Sequence, residues 1–390
     1  MRDFTFVTPT KIYFGKNAED RLAEVLNEFG FKRVFLLHGR GSIKKIGLYD
    51  KVIKILKHGF VYEEVSGVRA NPEIGLVREA LAKARVFKPD VILAVGGGSV
   101  LDTAKSIAAG YYYDGDPFDF NLKKVVCKKS LPVGSILTIS AAGSELSDSC
   151  VIQNDELHIK QGFNSDHNRP VFTIENPELT FSVSPYQTAA GVSDIMMHSL
   201  ERYFGESGPY QLSDEWALDL VRSTMEAGLA ALKNPRDYEA RAAIMLNSSL
   251  SHNGLTGLGK AAPFVVHPLE HALSGYRADI THGAGIALIY PAWAAHVYKK
   301  DVKKFAHLTK RVFDKEGAND EETAIIGIRL MKDFFHSIGM PTSFKEVGIT
   351  KEDLPNLVSL ATGNGTRTVG LYPQPLEKED VEAIFASLLD

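Results

Sequence analysis

The sequence predicts an α/β half built on a parallel sheet, residues 1–183, followed by an all-helical half, residues 184–390. Three observations carry this expectation. Up to about residue 183, short apolar runs bounded by turn residues alternate with amphipathic stretches, as strands joined by crossover helices do. Beyond Ser184-Pro185 the apolar spacing becomes helical and stays so almost to the end. Within the first half, Val95-Gly96-Gly97-Gly98-Ser99 joins an apolar run directly to a helix-like stretch.

The elements follow in chain order. Val34-Phe35-Leu36-Leu37 reads as a strand, and Asn71 to Ala84 as an amphipathic helix. Val91 to Val95 is uniformly apolar, a buried strand. It enters Gly96-Gly97-Gly98-Ser99 and then a helix from Leu101 to Ala109. Three glycines let the backbone approach a pyrophosphate, and Ser99 is expected to cap a helix whose free N–H groups and positive dipole end attract an anion. The run matches neither Gly-x-Gly-x-x-Gly nor a Walker loop, and a plain glycine turn is the other reading. Ile136 to Ile139 and Val171 to Ile174 complete the strands. Helical segments are expected near 185–204, 210–232, 238–253, 263–275, 284–298, 301–315, 320–338 and 375–389, with Thr362 to Pro375 as the longest loop.

Composition bounds the function classes. With 390 residues, 44% hydrophobic and 24% charged, the chain can bury two cores. A net charge of -4 with scattered basic residues gives no nucleic-acid footprint and no polybasic membrane patch. Two cysteines, Cys127 and Cys150, make no disulfide framework or metal-type spacing. The N-terminal residues lack the apolar core of a signal peptide and no run is long and apolar enough to span a bilayer, so a cytoplasmic protein is expected.

Chemistry concentrates in the helical half. Asp194 and His198 are spaced i,i+4, one turn apart on one helix face. Such pairs are commonly surface ion pairs, but Ile195-Met196-Met197, Leu200 and Tyr203 make this helix apolar on most sides, and a buried carboxylate needs a partner. His267 and His271 repeat the i,i+4 spacing, with Pro268 in the first turn, and His282 stands where a loop enters a helix. His252 reads equally well as a core histidine. One carboxylate with two or three imidazoles suits Zn²⁺ or Fe²⁺ better than Mg²⁺ or Ca²⁺, and the absence of a cysteine ligand points to a catalytic site.

Gly96-Gly97-Gly98-Ser99 with Asp102 and Lys105, Thr138-Ile139-Ser140-Ala141-Ala142-Gly143-Ser144-Glu145, Asp194-x-x-x-His198, and His267-x-x-x-His271 followed by His282-Gly283 together resemble the iron-dependent (group III) alcohol dehydrogenase family over essentially the whole chain. Tyr13-Phe14-Gly15 and Gly41-Ser42-Ile43-Lys44-Lys45 resemble its butanol dehydrogenase and aldehyde reductase branch most. The resemblance implies a dehydroquinate synthase-like fold: a dinucleotide-binding α/β domain, an all-helical metal-binding domain, and a cleft between them for nicotinamide and metal. It implies Asp194, His198, His267 and His282 as ligands of Fe²⁺ or Zn²⁺, and His271 as a pocket histidine. It also implies cofactor contacts from Thr138 and Ser140; Gly96, Gly97, Gly98, Ser99, Asp102 and Lys160 are further cofactor-binding candidates, and a homo-oligomer, a dimer, is expected. Two departures stand out: Ala142 replaces a usual threonine, and the interval from His267 to His282 is one residue longer, which predicts a small loop distortion before His282.

The reaction expected is hydride transfer between a nicotinamide cofactor and a primary alcohol or aldehyde such as butanol or butyraldehyde, with the metal as Lewis acid. His271 is the candidate proton relay and Asp102 a second catalytic candidate, although Asp102 and Lys105 also read as first-turn helix charges. A carbon–oxygen lyase of the dehydroquinate synthase type, a glycerol dehydrogenase-like enzyme that oxidises polyols and a non-catalytic dinucleotide-binding protein are the alternatives. The junction after Val34 to Leu37, His38-Gly39-Arg40-Gly41-Ser42-Ile43-Lys44-Lys45, carries no carboxylate for ribose hydroxyls. Gly39 and Gly41 leave room, Ser42 can donate, and Arg40 with Lys44 or Lys45 can neutralise a 2'-phosphate, so NADP is expected, with NAD possible.

Overall fold

Uniformly apolar strands are stable only where both sheet faces are covered. The computed structural model, which describes residues 1–206, 208 and 211–389, arranges the chain that way. Its strands are β1 (Lys11–Phe14), β2 (Arg33–Gly39), β3 (Val61–Val68), β4 (Val91–Gly96), β5 (Val133–Leu137), β6 (Ser149–Asn154), β7 (Ile159–Asn164) and β8 (Phe172–Glu175). Six form one parallel sheet in the order β1-β8-β5-β4-β2-β3, and β6 and β7 pair as an antiparallel hairpin. Alternate residues serve opposite faces, as the pleat requires. Phe35, Leu37, Ile92 and Ala94 pack on one side, and Val34, Leu36, Leu93 and Val95 on the other.

Helices α1 (Leu22–Glu28), α2 (Ser42–Lys45), α3 (Leu48–Gly59), α4 (Ile74–Phe87), α5 (Gly98–Gly110) and α6 (Phe118–Asn121) follow the strands. Val77, Leu81, Leu101, Ala104 and Ile107 of α4 and α5 cover the first face, and Leu22, Val25, Leu26, Val52 and Leu56 of α1 and α3 the second. Full burial of each such side chain stabilises by about 1.5–3 kcal/mol. The later helices are α7 (Pro185–Tyr203), α8 (Leu212–Lys233), α9 (Tyr238–Ser251), α10 (Val266–Tyr276), α11 (His282–Val297), α12 (Val302–Phe313), α13 (Asp320–Ser337), α14 (Leu354–Thr362) and α15 (Lys378–Ala386). Residues 210 and 390, where the expected helical segment at 210–232 begins and the helical half ends, lie outside the described residues.

The chain makes two compact units. The sheet unit comprises Val7–Val183 and Pro235–Asn253; the helical unit comprises Met1–Phe6, Ser184–Asn234 and Gly254–Asp390. Helix α9 therefore belongs with the sheet although helices of the other unit flank it in sequence. Among the described residues no helix is long and apolar enough to cross a membrane.

Several local expectations need correction. A short edge strand, β1, was not expected, and it makes the strand before the Gly39 junction the second in the chain. Strand β5 runs from 133 to 137 and not from 136 to 139, since its ladder ends where β4 ends, with Leu137 opposite Gly96. Ser99 does not cap α5. The helix already starts at Gly98, its cap residue is Gly97 with no capping side chain, and Val100 and Leu101 N–H both donate to the Gly97 carbonyl. Helix α14 was not expected, and the Thr362 to Pro375 stretch beyond it is tied off by a bridge between Val369 and Leu376.

Candidate active site

Helix α7 is capped by Ser184, whose Oγ accepts from Gln187 N–H at 3.2 Å, and Pro185 occupies its first turn. Asp194, His198 and Glu201 follow at i, i+4 and i+7, all buried on one face. Helix α10 supplies His267 and helix α11 begins with His282. Three imidazole nitrogens surround Asp194 Oδ1: His198 Nδ1 at 3.6 Å, His267 Nε2 at 3.5 Å and His282 Nε2 at 3.7 Å.

These separations are too long for hydrogen bonds. They match the distance between neighbouring ligand atoms around one tetrahedral cation, about 3.3–3.6 Å for bonds of about 2.0–2.2 Å. Asp194 Oδ1 and His267 Nε2 are buried without a hydrogen-bond partner, which a metal ion would supply. Asp194, His267 and His282 each bring one ligand atom into a common cluster; among the described residues His198, whose Nδ1 faces Asp194 Oδ1, does not join it. The donor set of one carboxylate and imidazoles fits Zn²⁺ or Fe²⁺. His282, with 24% of its side chain exposed, marks the accessible side.

Two carboxylates that sequence reading missed orient the imidazoles. Glu201 Oε1 accepts from His267 N–H at 2.7 Å and faces its Nδ1 at 3.1 Å, while Oε2 accepts from Val265 N–H at 2.7 Å. It thus fixes the ring and caps α10, whose cap residue offers no side-chain bond of its own. Glu270, fully buried, pairs with His282 Nδ1 and accepts from Ser274 Oγ at 2.6 Å. Each glutamate stands three residues after a candidate ligand histidine on a buried helix, the signal that could have found them. Burial by itself would depress His267, but Asp194 and Glu201 raise its pKa to about 9. A cation held in the cluster would take the place of that proton.

His271 is half-buried, its ring centroid 5.5 Å from that of His282 and 6.4 Å from that of His267. Glu270, His271 and His282 also form a cluster of possible donors. His252 is elsewhere: it ends α9 in the sheet unit, with Nδ1 2.9 Å from the Ala142 carbonyl.

The sheet unit holds the candidate cofactor residues. At Gly96 to Gly98 no φ is left-handed; what glycine provides there is space. A Cβ at 97 would stand 2.1 Å from Ile139 Cγ2 and one at 98 would stand 2.8 Å from Ala142 Cβ, so the loop after β5, with Thr138 and Ser140, lies against the start of α5. Ser144 Oγ donates to Asp102 Oδ1 at 2.6 Å and Val151 N–H to Oδ2 at 3.0 Å; burial raises this carboxyl, against the charges of Lys105 and Lys160. Lys105, fully buried, donates to the Ser147 and Ser149 carbonyls at 3.0 and 2.9 Å. At the end of β2, Arg40 and Lys44 are exposed, with Lys44 Nζ 4.6 Å from the Tyr49 ring centre. The carboxylate missing from the junction comes from β3. Glu64 already receives Tyr49 Oη at 3.0 Å and faces His38 Nε2 at 2.8 Å. Burial pushes Glu64 up, and those two hydrogen bonds bring it below the usual carboxylate range.

Residues 9–177 match the family described as iron-containing alcohol dehydrogenase, and residues 188–389 the C-terminal region of the Fe-containing alcohol dehydrogenase family. The chain is 41% identical to NADH-dependent butanol dehydrogenase A of Clostridium acetobutylicum, over 99% of each chain. It is 32% identical to the NADPH-dependent aldehyde reductase YqhD of Escherichia coli, over 95% of each. The crystal structure of NADH-dependent butanol dehydrogenase A from Thermotoga maritima superimposes with a TM-score of 0.95 at 37% identity, covering 100% of this chain and 99% of that one.

Proposed function

Because this chain belongs to the iron-containing alcohol dehydrogenase family, and is an oxidoreductase that interconverts alcohols and aldehydes with a nicotinamide cofactor and a divalent metal, we propose that Asp194, His198, His267 and His282 hold the metal. We propose equally that the sheet domain, near 1–183, holds the cofactor and the helical domain, near 184–390, the metal. The observation that carries the metal assignment is Asp194 Oδ1, buried, without a hydrogen-bond partner, and faced by three imidazole nitrogens. The substrate is a small primary alcohol or aldehyde of the butanol/butyraldehyde kind, which the names of the relatives support. The whole-length likeness is to dehydrogenases and reductases, so the lyase reading is set aside. Oxidation of NADPH or NADH by butyraldehyde, followed by absorbance with metal-loaded protein, tests the proposal; no turnover with either cofactor overturns it. A cytoplasmic homodimer belongs to the same proposal, its compartment supported by two buried free thiols, Cys127 and Cys150, and both parts checked by fractionation and sedimentation.

When bound, the cation supplies a Lewis acid for the substrate oxygen and the nicotinamide supplies or takes the hydride. The chain's own residues do the rest. Glu201 and Glu270 hold His267 and His282 in the orientation that presents Nε2 to the cluster. A ring nitrogen of His271 accepts the alcohol proton and passes it outward. Asp102, held by Ser144 and Val151, anchors the cofactor side together with Lys160, Thr138, Ser140 and the Gly96–Ser99 turn. His271→Ala is expected to keep its metal while kcat falls about 100-fold, the defect shrinking at high pH where the alkoxide forms unaided. Because His271 also stands with Glu270 and His282 in a possible donor cluster, metal loss equal to that of His267→Ala would make it a ligand instead.

The cofactor preference assigned is NADP(H), through Gly39, Arg40, Gly41 and Ser42. Its support is that Arg40 and Lys44 are both exposed, and that the Glu64 carboxylate is already engaged by His38 and Tyr49. The NADH-dependent names of the relatives at 38–41% identity favour the other reading. Arg40→Asp is expected to weaken NADPH binding by about 10- to 100-fold, one charge-assisted contact, and to spare NADH. Wild-type kcat/KM equal for the two cofactors, or higher for NADH, overturns the preference.

A further inference from the structure

Behind the loop that carries Thr138 and Ser140 lie two buried acids that no step above uses. Glu145, at the end of that loop, and Glu175, at the end of β8, are 1% and 0% exposed. Both reach the hydroxyl of Ser249 on α9: Glu145 Oε1 stands 2.8 Å and Glu175 Oε1 3.1 Å from Ser249 Oγ. A serine hydroxyl has one proton to give. Two carboxylates around one buried hydroxyl would leave one oxygen pair with no proton between them, and two charges without water.

One of the acids must therefore carry a proton, and the surroundings say which. Burial raises the Glu145 carboxyl too, but Ser249 stands closer to it, and the Ser248 hydroxyl and the positive charge of Lys105 also favour its charged form. Glu175 has no such cation. Its own neighbour is the Glu145 charge, and its Oε2 is buried with no hydrogen-bond partner, a position an ionised oxygen tolerates far worse than a carbonyl oxygen of a neutral acid. Burial and the Glu145 charge push Glu175 well above the usual carboxylate range, against the hydroxyls of Ser249 and Thr173, in accord with the geometry.

We propose that Glu175 is a neutral carboxylic acid donating to Ser249, that Ser249 donates to the Glu145 carboxylate, and that this directed chain makes Glu145 the positioning residue for the 138–145 cofactor loop. The loop is held to α9 at two further points. His252 Nδ1 meets the Ala142 carbonyl, and Gly143, with φ of +60°, lies so close that a Cβ there would stand 2.5 Å from the Ser248 carbonyl oxygen. The inference rests on the assignment of Thr138 and Ser140 to the cofactor.

The test uses the metal-loaded enzyme and fluorescence titration with NADPH and NADH. Glu145→Gln, which removes the accepting charge, is expected to raise the cofactor Kd about tenfold or more, the loss of one charge-assisted hydrogen bond, with metal content unchanged. Glu175→Leu should do the same, whereas Glu175→Gln, whose amide N–H donates where the acid O–H did, should restore the wild-type Kd to within about twofold. The infrared C=O band of a protonated carboxyl at neutral pH should be present in the wild type and absent from Glu175→Gln. Equal damage from Glu175→Gln and Glu145→Gln, or a band that survives in Glu175→Gln, overturns the chain. If Glu145→Gln fails to fold, the Glu175 variants and the band decide alone. Should the band behave as expected while Thr138→Ala and Glu145→Gln both leave Kd unchanged, the cofactor loop is misassigned and the positioning role falls with it.

Discussion

His267→Ala is expected to lose the metal and to lower kcat/KM by about three orders of magnitude or more, since Lewis-acid stabilisation of the reacting oxygen is worth several kcal/mol and each 1.36 kcal/mol is tenfold. His267 is the imidazole with the most support: its Nε2 faces Asp194 Oδ1 at 3.5 Å, its Nδ1 and backbone N–H both face Glu201, and its ring lies 4.6 Å from that of His198. Removing it leaves two buried carboxylates without their shared partner. A milder variant separates ligand from orienter. Glu201→Gln keeps the nitrogen in place but weakens its hold, and should lower metal affinity by about 10- to 100-fold. Chelated wild type should be inactive yet folded, because the apolar cores on both faces of the sheet are built without any metal. Metal content by mass spectrometry, circular dichroism and the butyraldehyde assay read all three. Full activity in a chelated, metal-free preparation would falsify the assignment.

Gly283→Ala is expected to be the most damaging single methyl in the helical unit. Helix α11 crosses α7 so closely at this residue that a Cβ would sit 1.9 Å from the Ala190 carbonyl oxygen and 2.6 Å from its carbon, both backbone atoms of α7. No rotamer change can relieve that clash. Ala190 stands one turn before Asp194 and Gly283 directly follows His282, so any retreat of α11 pulls His282 away from the carboxylate it faces at 3.7 Å. Destabilisation of about 3 kcal/mol or more follows from overpacking, a fall in Tm of about 10 °C for a unit of this size, together with weaker metal binding. Gly59→Ala, with nothing within 4 Å of the new Cβ, is the matched control. Calorimetry that finds the two variants alike would remove the close-packing argument.

What the sequence revealed depended on whether one element's pattern sufficed. Strands β2 and β4 were legible because burial on both faces leaves an unbroken apolar run. The edge strands were not: β1 is four residues long, and β3 reads Val61-Tyr62-Glu63-Glu64-Val65, half-polar because one edge meets water. The pairs Asp194/His198 and His267/His271 were legible because helical spacing puts each pair on one face. Glu201 and Glu270 were not legible, because a single glutamate in a helix makes no pattern by itself and only burial shows them facing imidazoles. Glu64 was invisible for another reason: it reaches the β2 junction across the ladder, where Leu36 pairs with Glu64, and no local pattern in β2 records its neighbour. The expectation that Ser99 caps α5 failed because capping preference is local, while the glycines before it were free to enter the helix.

Helix α9 has a consequence for how the chain can be divided. By residue 183 a growing polypeptide has made every strand, but not Ser248, Ser249 and His252, on which the Ala142–Glu145 loop and Glu175 lean. A fragment ending there would expose to solvent two acids and a carbonyl that the folded protein keeps dry, so the sheet unit completes only after residue 253 emerges. The helical unit is likewise interrupted, resuming at Gly254 after the excursion. An autonomous sheet module would need residues 235–253 grafted back through a new linker, and homologous swaps of one unit should exchange that segment along with residues 7–183.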